Sequence, residues 1–362
     1  MQRRLRRCRE LWGESVLLEA LPALRVVEHA VYVPPDAQGR WALLAAGERI
    51  AGGGGEPGPR PAPVPAPEAT YLFVGALAPH YGHFIVDTLA RLWPLLGWEG
   101  PLPRLLAFTP APAEGPGYVG AILGGLGVGA EGVACFYEPV RIPRLVLPDP
   151  AFREQAFVHR VFGDLCRAVG QPFWGGERLG RPVYLSKTRL SSGISRIANE
   201  DAIVAELDRC GVEIVAPETL PFGDQVRLLS TRRIVMGSTG SAFHTSAFAA
   251  PGCRLLGLNW MERLHANFAL IDAVSGHAAK YYFPPGTRYA ESGDAFHFGW
   301  VVRDPRAVAA ELVARAQAFD RLDEIDAQAG GPRSALDRAR GLAAELRARI
   351  ARQVRIAAGR RP

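Results

Sequence analysis

Three short stretches hold side chains able to react or to bind an anion. In HYGHFIVDTLARL, His83 and Asp87 stand four residues apart, so on a helix they share a face and reach a common ligand. An imidazole beside a carboxylate suits removal of a proton from an alcohol, the carboxylate orienting the ring or holding charge beside it. The same spacing also suits two polar residues capping a core helix. In YLSKTRLSSGISRIANE, Lys187, Arg189 and Arg196 occur with several hydroxyls directly after a predicted strand. Forked guanidinium bonds and serine hydroxyls suit a diphosphate, although a solvated loop has the same composition. In MGSTGSAFHTSAFAAPG, Ser238, Thr239, Gly240 and Ser241 open a predicted helix, where Gly240 lets the backbone turn and free N–H groups attract phosphate. His244, one turn in, can donate to that anion or face the reacting centre. A tight turn with no ligand explains these glycines equally well. Glu218, after the run VEIV, can accept from ribose hydroxyls or be a plain exposed glutamate.

The elements that must position these residues are legible as alternating patterns. TYLFVGA from Thr70 is a β run, and His80 to Leu96 carries apolar residues at helical spacing. From Arg181 the order is strand PVYLSK, loop TRLSSGISRIA, helix Asn199 to Cys210, strand VEIV, helix Phe222 to Thr231, strand RIVMG, helix Ser241 to Ala249 and strand RLLGLN. Asn199 is the expected N-cap, with Glu200 and Asp201 in the first turn, where negative charge favours the helix dipole. Strands alternating with helices predict a parallel, doubly wound sheet, whose ligands sit beyond the carboxyl ends of the strands. Three polar loops at that one edge carry more information together than any one alone.

The remaining segments frame this region. Residues 24 to 50 look like a small sheet, and Gly52 to Ala69, rich in Gly and Pro, reads as a surface loop or linker. Asp304 to Ile325 is expected to form an amphipathic helix, and Leu336, Leu342, Leu346, Ile350 and Val354 give the tail an apolar stripe among arginines. The expected division is therefore 1–69 as a small-sheet segment and linker, 70–178 as a first Rossmann-like domain, 179–303 as a second, and 304–362 as terminal helices with a basic tail.

Composition excludes several classes. A chain of 362 residues with 48% hydrophobic and 22% charged residues has a core to build and is long enough for two domains. Five cysteines without CxxC spacing argue against a disulfide framework or zinc ribbon. Five Arg and one Glu occupy residues 1 to 10, and nine Arg face two acids in residues 333 to 362, so the body between is net acidic. The pI of 9.3 thus belongs to the ends and implies no nucleic-acid groove. The basic amphipathic tail 333–362 can lie on anionic lipid, or dock as a terminal or oligomerising helix. With charges interrupting any signal-peptide core and no convincing spanning stretch, the expected location is cytoplasmic, with peripheral contact at the inner membrane face.

The blocks HYGHFIVDTLARLWPL, YLSKTRLSSGISRIANEDAIVAELDRCGVEIVAPETLPFGDQVRLLS and IVMGSTGSAFHTSAFAAPGCRLLGLN resemble, in order and spacing, the glycosyltransferase family 61 domain, from about Tyr71 to Asn259. That family occurs in bacterial capsule and exopolysaccharide clusters and among eukaryotic xylosyl- and O-linked GlcNAc-transferases. The resemblance implies a GT-B-like α/β fold, two Rossmann-like domains with parallel sheets facing across a cleft. It also implies inverting, metal-independent transfer from a nucleotide sugar to a saccharide or lipid-linked saccharide acceptor, with no cofactor. Carried onto this chain, it marks the His83 and Asp87 helix, the Arg189 and Arg196 loop, Glu218, and the Gly237 to His244 turn. Many relatives read His-Gly-Ala where this chain has Thr239, Gly240 and Ser241, while a bacterial subset has Gly-Ser-Ala followed by a His, as at His244. Consistent with a metal-free, non-NAD enzyme, the chain has no Asp-x-Asp at a strand end and no GxGxxG between a strand and a helix. The rival reading is a noncatalytic nucleotide- or sugar-binding partner in a polysaccharide assembly complex.

Overall fold

A run such as TYLFVG, apolar at nearly every position, has no side to show to water and belongs inside a sheet covered on both faces. The computed structural model, which describes residues 4–78, 80–109, 117–176, 180–290 and 295–328, places it there. By its internal contacts the chain forms two compact units, Val16–Pro172 and a second that joins Met1–Ser15 to Phe173 onward.

In the first unit the principal strands are β1 Leu24–Val33, β2 Trp41–Ala45, β3 Glu48–Gly53, β4 Thr70–Gly75, β5 Arg104–Ala107, β6 Val133–Cys135 and β7 Val140–Pro148. They lie in the order β6-β5-β4-β7-β1-β2-β3, and Val64–Pro65 pairs with β7. Strands β4 to β7 are parallel, with the first of them, β4, between β5 and β7. Strands β1, β2 and β3 are antiparallel, so the sheet is mixed where parallel sheets were expected. Short connections account for the β1–β2 and β2–β3 pairs, since a few residues can only fold a strand back on its predecessor, while β1 meets β7 across more than a hundred residues. Residues 24–50 therefore form no small sheet of their own but extend the sheet that contains β4. Tyr71, Phe73 and Leu106 pack with Tyr32 and Leu43 on one face of it. Leu72, Val74 and Leu105, pointing the other way, are buried too.

The second unit holds β8 Val183–Leu185, β9 Glu213–Val215, β10 Val235–Ser238, β11 Arg254–Leu258 and β12 Ala278–Phe283. All are parallel, in the order β12-β11-β10-β8-β9. The helices of this unit are α1 Glu200–Arg209, α2 Phe222–Thr231, α3 Ala266–Ser275 and α4 Pro305–Gln317. Val183, Leu185, Val235 and Leu255 pack with Leu229 of α2 and Phe268 of α3. Tyr184, Met236 and Leu256 pack with Ile203 and Leu207 of α1 and Val308 and Leu312 of α4. Helices thus cover both faces, the doubly wound arrangement that the alternation predicts. The order reverses between β8 and β10, the position at which such sheets hold ligands.

Four local readings change. The expected loop after β8 contains a strand, Ser192–Ile197, which pairs with Ala295–Val301 rather than with the main sheet. Asn199 stands at the N-cap position of α1 but makes no side-chain cap bond; its amide exchanges two hydrogen bonds with the backbone of Val302, at 2.8 and 3.0 Å. The expected helix 304–325 ends at Gln317 and resumes as a short 3-10 turn and the helix Leu322–Gln328. Finally, the chain start joins the second unit: Arg6–Arg7 pairs with β12 and Glu10–Trp12 with Arg263–His265. Buried Arg315 anchors it, donating to Leu5 O at 3.1 Å while held by Glu311 at 2.7 Å and Asp326 at 3.0 Å. The tail stripe lies outside the described residues. Among those described, no helix is long and apolar enough to cross a membrane.

Candidate active site

Beyond β4, Gly75 adopts φ +80, a left-handed conformation that costs a side-chain-bearing residue energy, and the chain turns into a helical segment over 81–91. Buried Thr88 ties this segment to the strand exit, donating to Ala76 O at 2.7 Å and accepting from the Ala78 N–H at 3.2 Å. Phe84, Ile85, Val86 and Leu89 fill the interior beneath it. The segment passes from an α turn at Tyr81–His83 through a π turn at Phe84–Thr88 to a 3-10 turn at Leu89–Arg91. Such π insertions recur at functional sites. On its outer side His83 Nδ1 lies 3.0 Å from Asp87 Oδ2, both side chains about half exposed (49% and 51%). In the tautomer whose Nδ1–H donates to the carboxylate, Nε2 is left as the proton acceptor. A pair this open contributes at most ~1 kcal/mol to folding, so stability does not account for it.

In the second unit the strands that flank the order reversal are bridged by one side chain. Lys187 follows β8, and its Nζ donates to Thr239 O, just past β10, at 2.9 Å and to Ser195 O at 3.5 Å. Gly240 makes this possible, since a Cβ there would fall 2.5 Å from Lys187 Nζ. The glycine's φ of 171 is ordinary extended backbone, so it provides space and not the sharp turn expected of it. Thr239 Oγ1 donates to Asn259 Oδ1 at 2.8 Å, and the Asn259 amide donates to Met261 O and Arg263 O at 2.9 Å each. Ser238 Oγ is buried and, among the described residues, has no hydrogen-bond partner.

Beneath Lys187 lies Glu200, whose carboxylate is almost fully buried. Tyr184 OH donates to its Oε1 at 2.9 Å and the Lys187 backbone N–H to its Oε2 at 3.1 Å. Burial raises Glu200 above the ordinary carboxylate range, with the Tyr184 hydrogen bond opposing. Burial also pushes the Lys187 ammonium down to about 8, with the Glu200 charge opposing.

The structure thus gathers Lys187, Ser238, Thr239 and Gly240 at one strand edge, with Ser241 opening the 3-10 helix Ser241–Phe248. Arg189 is exposed in the loop after Lys187. Arg196 sits on the strand Ser192–Ile197 with its guanidinium 5.2 Å from the Phe296 ring centre. Glu218 is exposed in the turn Pro217–Thr219 after β9. His244 is buried with its ring 5.4 Å from that of Phe268, in the core layer and not on the loop surface. Two residues escaped sequence reasoning. Glu200 looks like a helix-dipole acid, and only its pairing with Tyr184, sixteen positions earlier, reveals otherwise. Asn259 closes the strand run RLLGLN at the same edge, a position from which it could have been inferred. Among the described residues no three His, Cys, Asp or Glu side chains converge to hold a metal ion. Two grooves of about 500 and 640 Å³ on the first unit are lined by other residues, Glu28, His29, Arg141 and Arg144 in one, Leu21, Leu24, Trp93 and Trp98 in the other.

The family model of glycosyltransferase 61 matches residues 81–256, from the helical segment bearing His83 to the middle of β11. The chain belongs to glycosyltransferase family 61. Every candidate side chain named from the sequence falls inside the matched span, whereas Asn259 lies just beyond it. No significant match is found among curated proteins.

Proposed function

We propose that this family 61 member is an inverting, metal-independent glycosyltransferase that moves a sugar from a nucleotide-sugar donor to a saccharide or lipid-linked saccharide acceptor in surface polysaccharide synthesis. The reading requires the two units to act as Rossmann-like domains facing across a GT-B cleft, on the cytoplasmic side of a membrane that the basic tail can touch. The observation that carries it is the Lys187 bridge at the order reversal of a doubly wound sheet, flanked by the hydroxyls of Ser238 and Thr239. A diphosphate there meets an ammonium, the hydroxyl of Ser238 and the guanidiniums of Arg189 and Arg196, while Glu218 accepts from the ribose. In the reaction the acceptor oxygen attacks the anomeric carbon from the face opposite the leaving group. His83 Nε2 takes the hydroxyl proton, Asp87 balances the imidazolium, and the electron pair of the breaking C–O bond leaves with the nucleoside diphosphate. Fixed cations and donors aimed at that developing charge lower the barrier. One displacement inverts the configuration.

The test is a thermal-shift panel of nucleoside diphosphates and nucleotide sugars, followed by a transfer assay with and without EDTA. A ligand at a hundred times its dissociation constant adds ~2.7 kcal/mol of stability. Stabilisation by one nucleotide family, with turnover that survives EDTA, is the expected result. Nucleotide binding without turnover of any donor, in folded protein, would overturn the enzymatic reading in favour of the noncatalytic partner.

A further inference from the structure

Lys187 spends two of its three N–H donors on protein carbonyls, Thr239 O and Ser195 O, which span the loops after β8 and β10. Among the described residues the third has no acceptor. One residue before Thr239, the buried Ser238 Oγ has no hydrogen-bond partner among the described residues, a state that is costly unless a ligand completes it. Gly240 has no Cβ where one would strike the lysine, so the room around Nζ is kept by residue choice. Below, the buried Glu200 carboxylate accepts from the backbone N–H of Lys187 itself and from Tyr184 OH. A carboxylate at this depth is expensive and calls for a role that offsets its desolvation.

We infer that Glu200 is the positioning residue of the anion cradle: it fixes the backbone of Lys187 and supplies the counter-charge for its ammonium, so that the third N–H of Lys187 and Ser238 Oγ together take the diphosphate of the donor. That the anion is a diphosphate rests on the nucleotide-sugar reading above. Without ligand, Glu200 partly offsets the desolvation of the ammonium. An arriving anion adds a second counter-charge, so Lys187 binds its proton more tightly when the cradle is filled. The ionisable groups around Lys187 are few. Glu200 of α1 is the charged group that acts on it directly, and Tyr184 of β8 and Asp201 act on Glu200 in turn. The segment 188–197 carries Arg189 and Arg196, and the 238–241 turn has carbonyls and hydroxyls but no ionisable side chain.

The chain has only two lysines, Lys187 and Lys280, so full-length protein labelled with ¹³C at lysine Cε gives two signals, assigned with Lys280→Arg. Titrated from pH 6 to 11, the Lys187 signal should turn over well below the ordinary lysine value of 10.5. Saturating pyrophosphate, and separately UDP or GDP, should raise its midpoint by about one unit or more, and Glu200→Gln should lower it by a similar amount. Tyr184→Phe, which keeps the carboxylate, should move it much less. A Lys187 midpoint that ignores both pyrophosphate and nucleoside diphosphates overturns the cradle, and this arm needs only the wild-type protein. A midpoint shifted by pyrophosphate but identical in folded Glu200→Gln overturns the role of Glu200. If pyrophosphate shifts the midpoint, Glu200→Gln lowers it, and no nucleotide sugar is turned over, the inference stands and the transferase reading fails.

Discussion

The two clusters are built on opposite plans. His83 and Asp87 are neighbours along one helical segment, half exposed, and meet because a helix brings residues four apart onto one face. Lys187, Glu200, Tyr184 and Thr239 come from a strand end, a helix and a second strand end, and meet only when β8 and β10 lie side by side. The first cluster can change with little effect on folding. In the second, the same side chains tie strand ends and helix to one another. On the proposed reading the difference is a physical one: a proton acceptor must stay where an acceptor substrate can reach it, whereas a cradle for fixed charge needs desolvated, preset donors.

The contrast can be broken by substitution. The largest effect is expected from His83→Ala, which should lower kcat by ~10²–10⁴-fold as the proton acceptor is lost. Its stability in urea should stay within about 0.5 kcal/mol of wild type, as for most exposed positions. If both His83→Ala and Asp87→Ala keep the full transfer rate, the base lies elsewhere. Glu200→Ala should do the reverse in kind, lowering unfolding free energy by roughly 2–4 kcal/mol, because Tyr184 OH and the Lys187 N–H both lose their acceptor inside the protein. A loss as small as that of His83→Ala would erase the distinction between the clusters.

The smallest effect sharpens the comparison through pH. The folded protein holds the Lys187 ammonium near pKa 8 against an ordinary 10.5, mainly by burial. Between those values the unfolded chain binds more protons than the folded one, so this group makes stability rise as pH increases from 8 toward 10.5. Lys187→Met should remove that contribution, and urea midpoints of the two proteins at pH 8 and pH 10 measure it. An unchanged difference between them at both values would show that Lys187 is not desolvated by the fold.

How much of this could be read beforehand depends on where the partners of each residue lie. The run TYLFVG announced a central strand because burial on both faces leaves its mark on every position. The alternation from Arg181 to Asn259 announced a doubly wound sheet for the same local reason. Asn199 was misjudged because its amide pairs with Val302, more than a hundred residues away. Gly240 was identified as necessary, but for a turn; its function is to leave space for Lys187, which no window of sequence around it displays.

By itself, then, the sequence determined the alternating strands and helices from β8 to β11, the shared face of His83 and Asp87, and the concentration of cations and hydroxyls at strand ends, because each follows from residues within a few positions of one another. Tertiary structure alone decided that Arg6–Arg7 would edge β12, that β1 to β3 would extend the first sheet, and that Glu200 would turn inward beneath Lys187. Those outcomes turn on which distant segments bury apolar surface and satisfy backbone groups together. That balance is struck by the whole chain, and a short stretch of residues does not contain it.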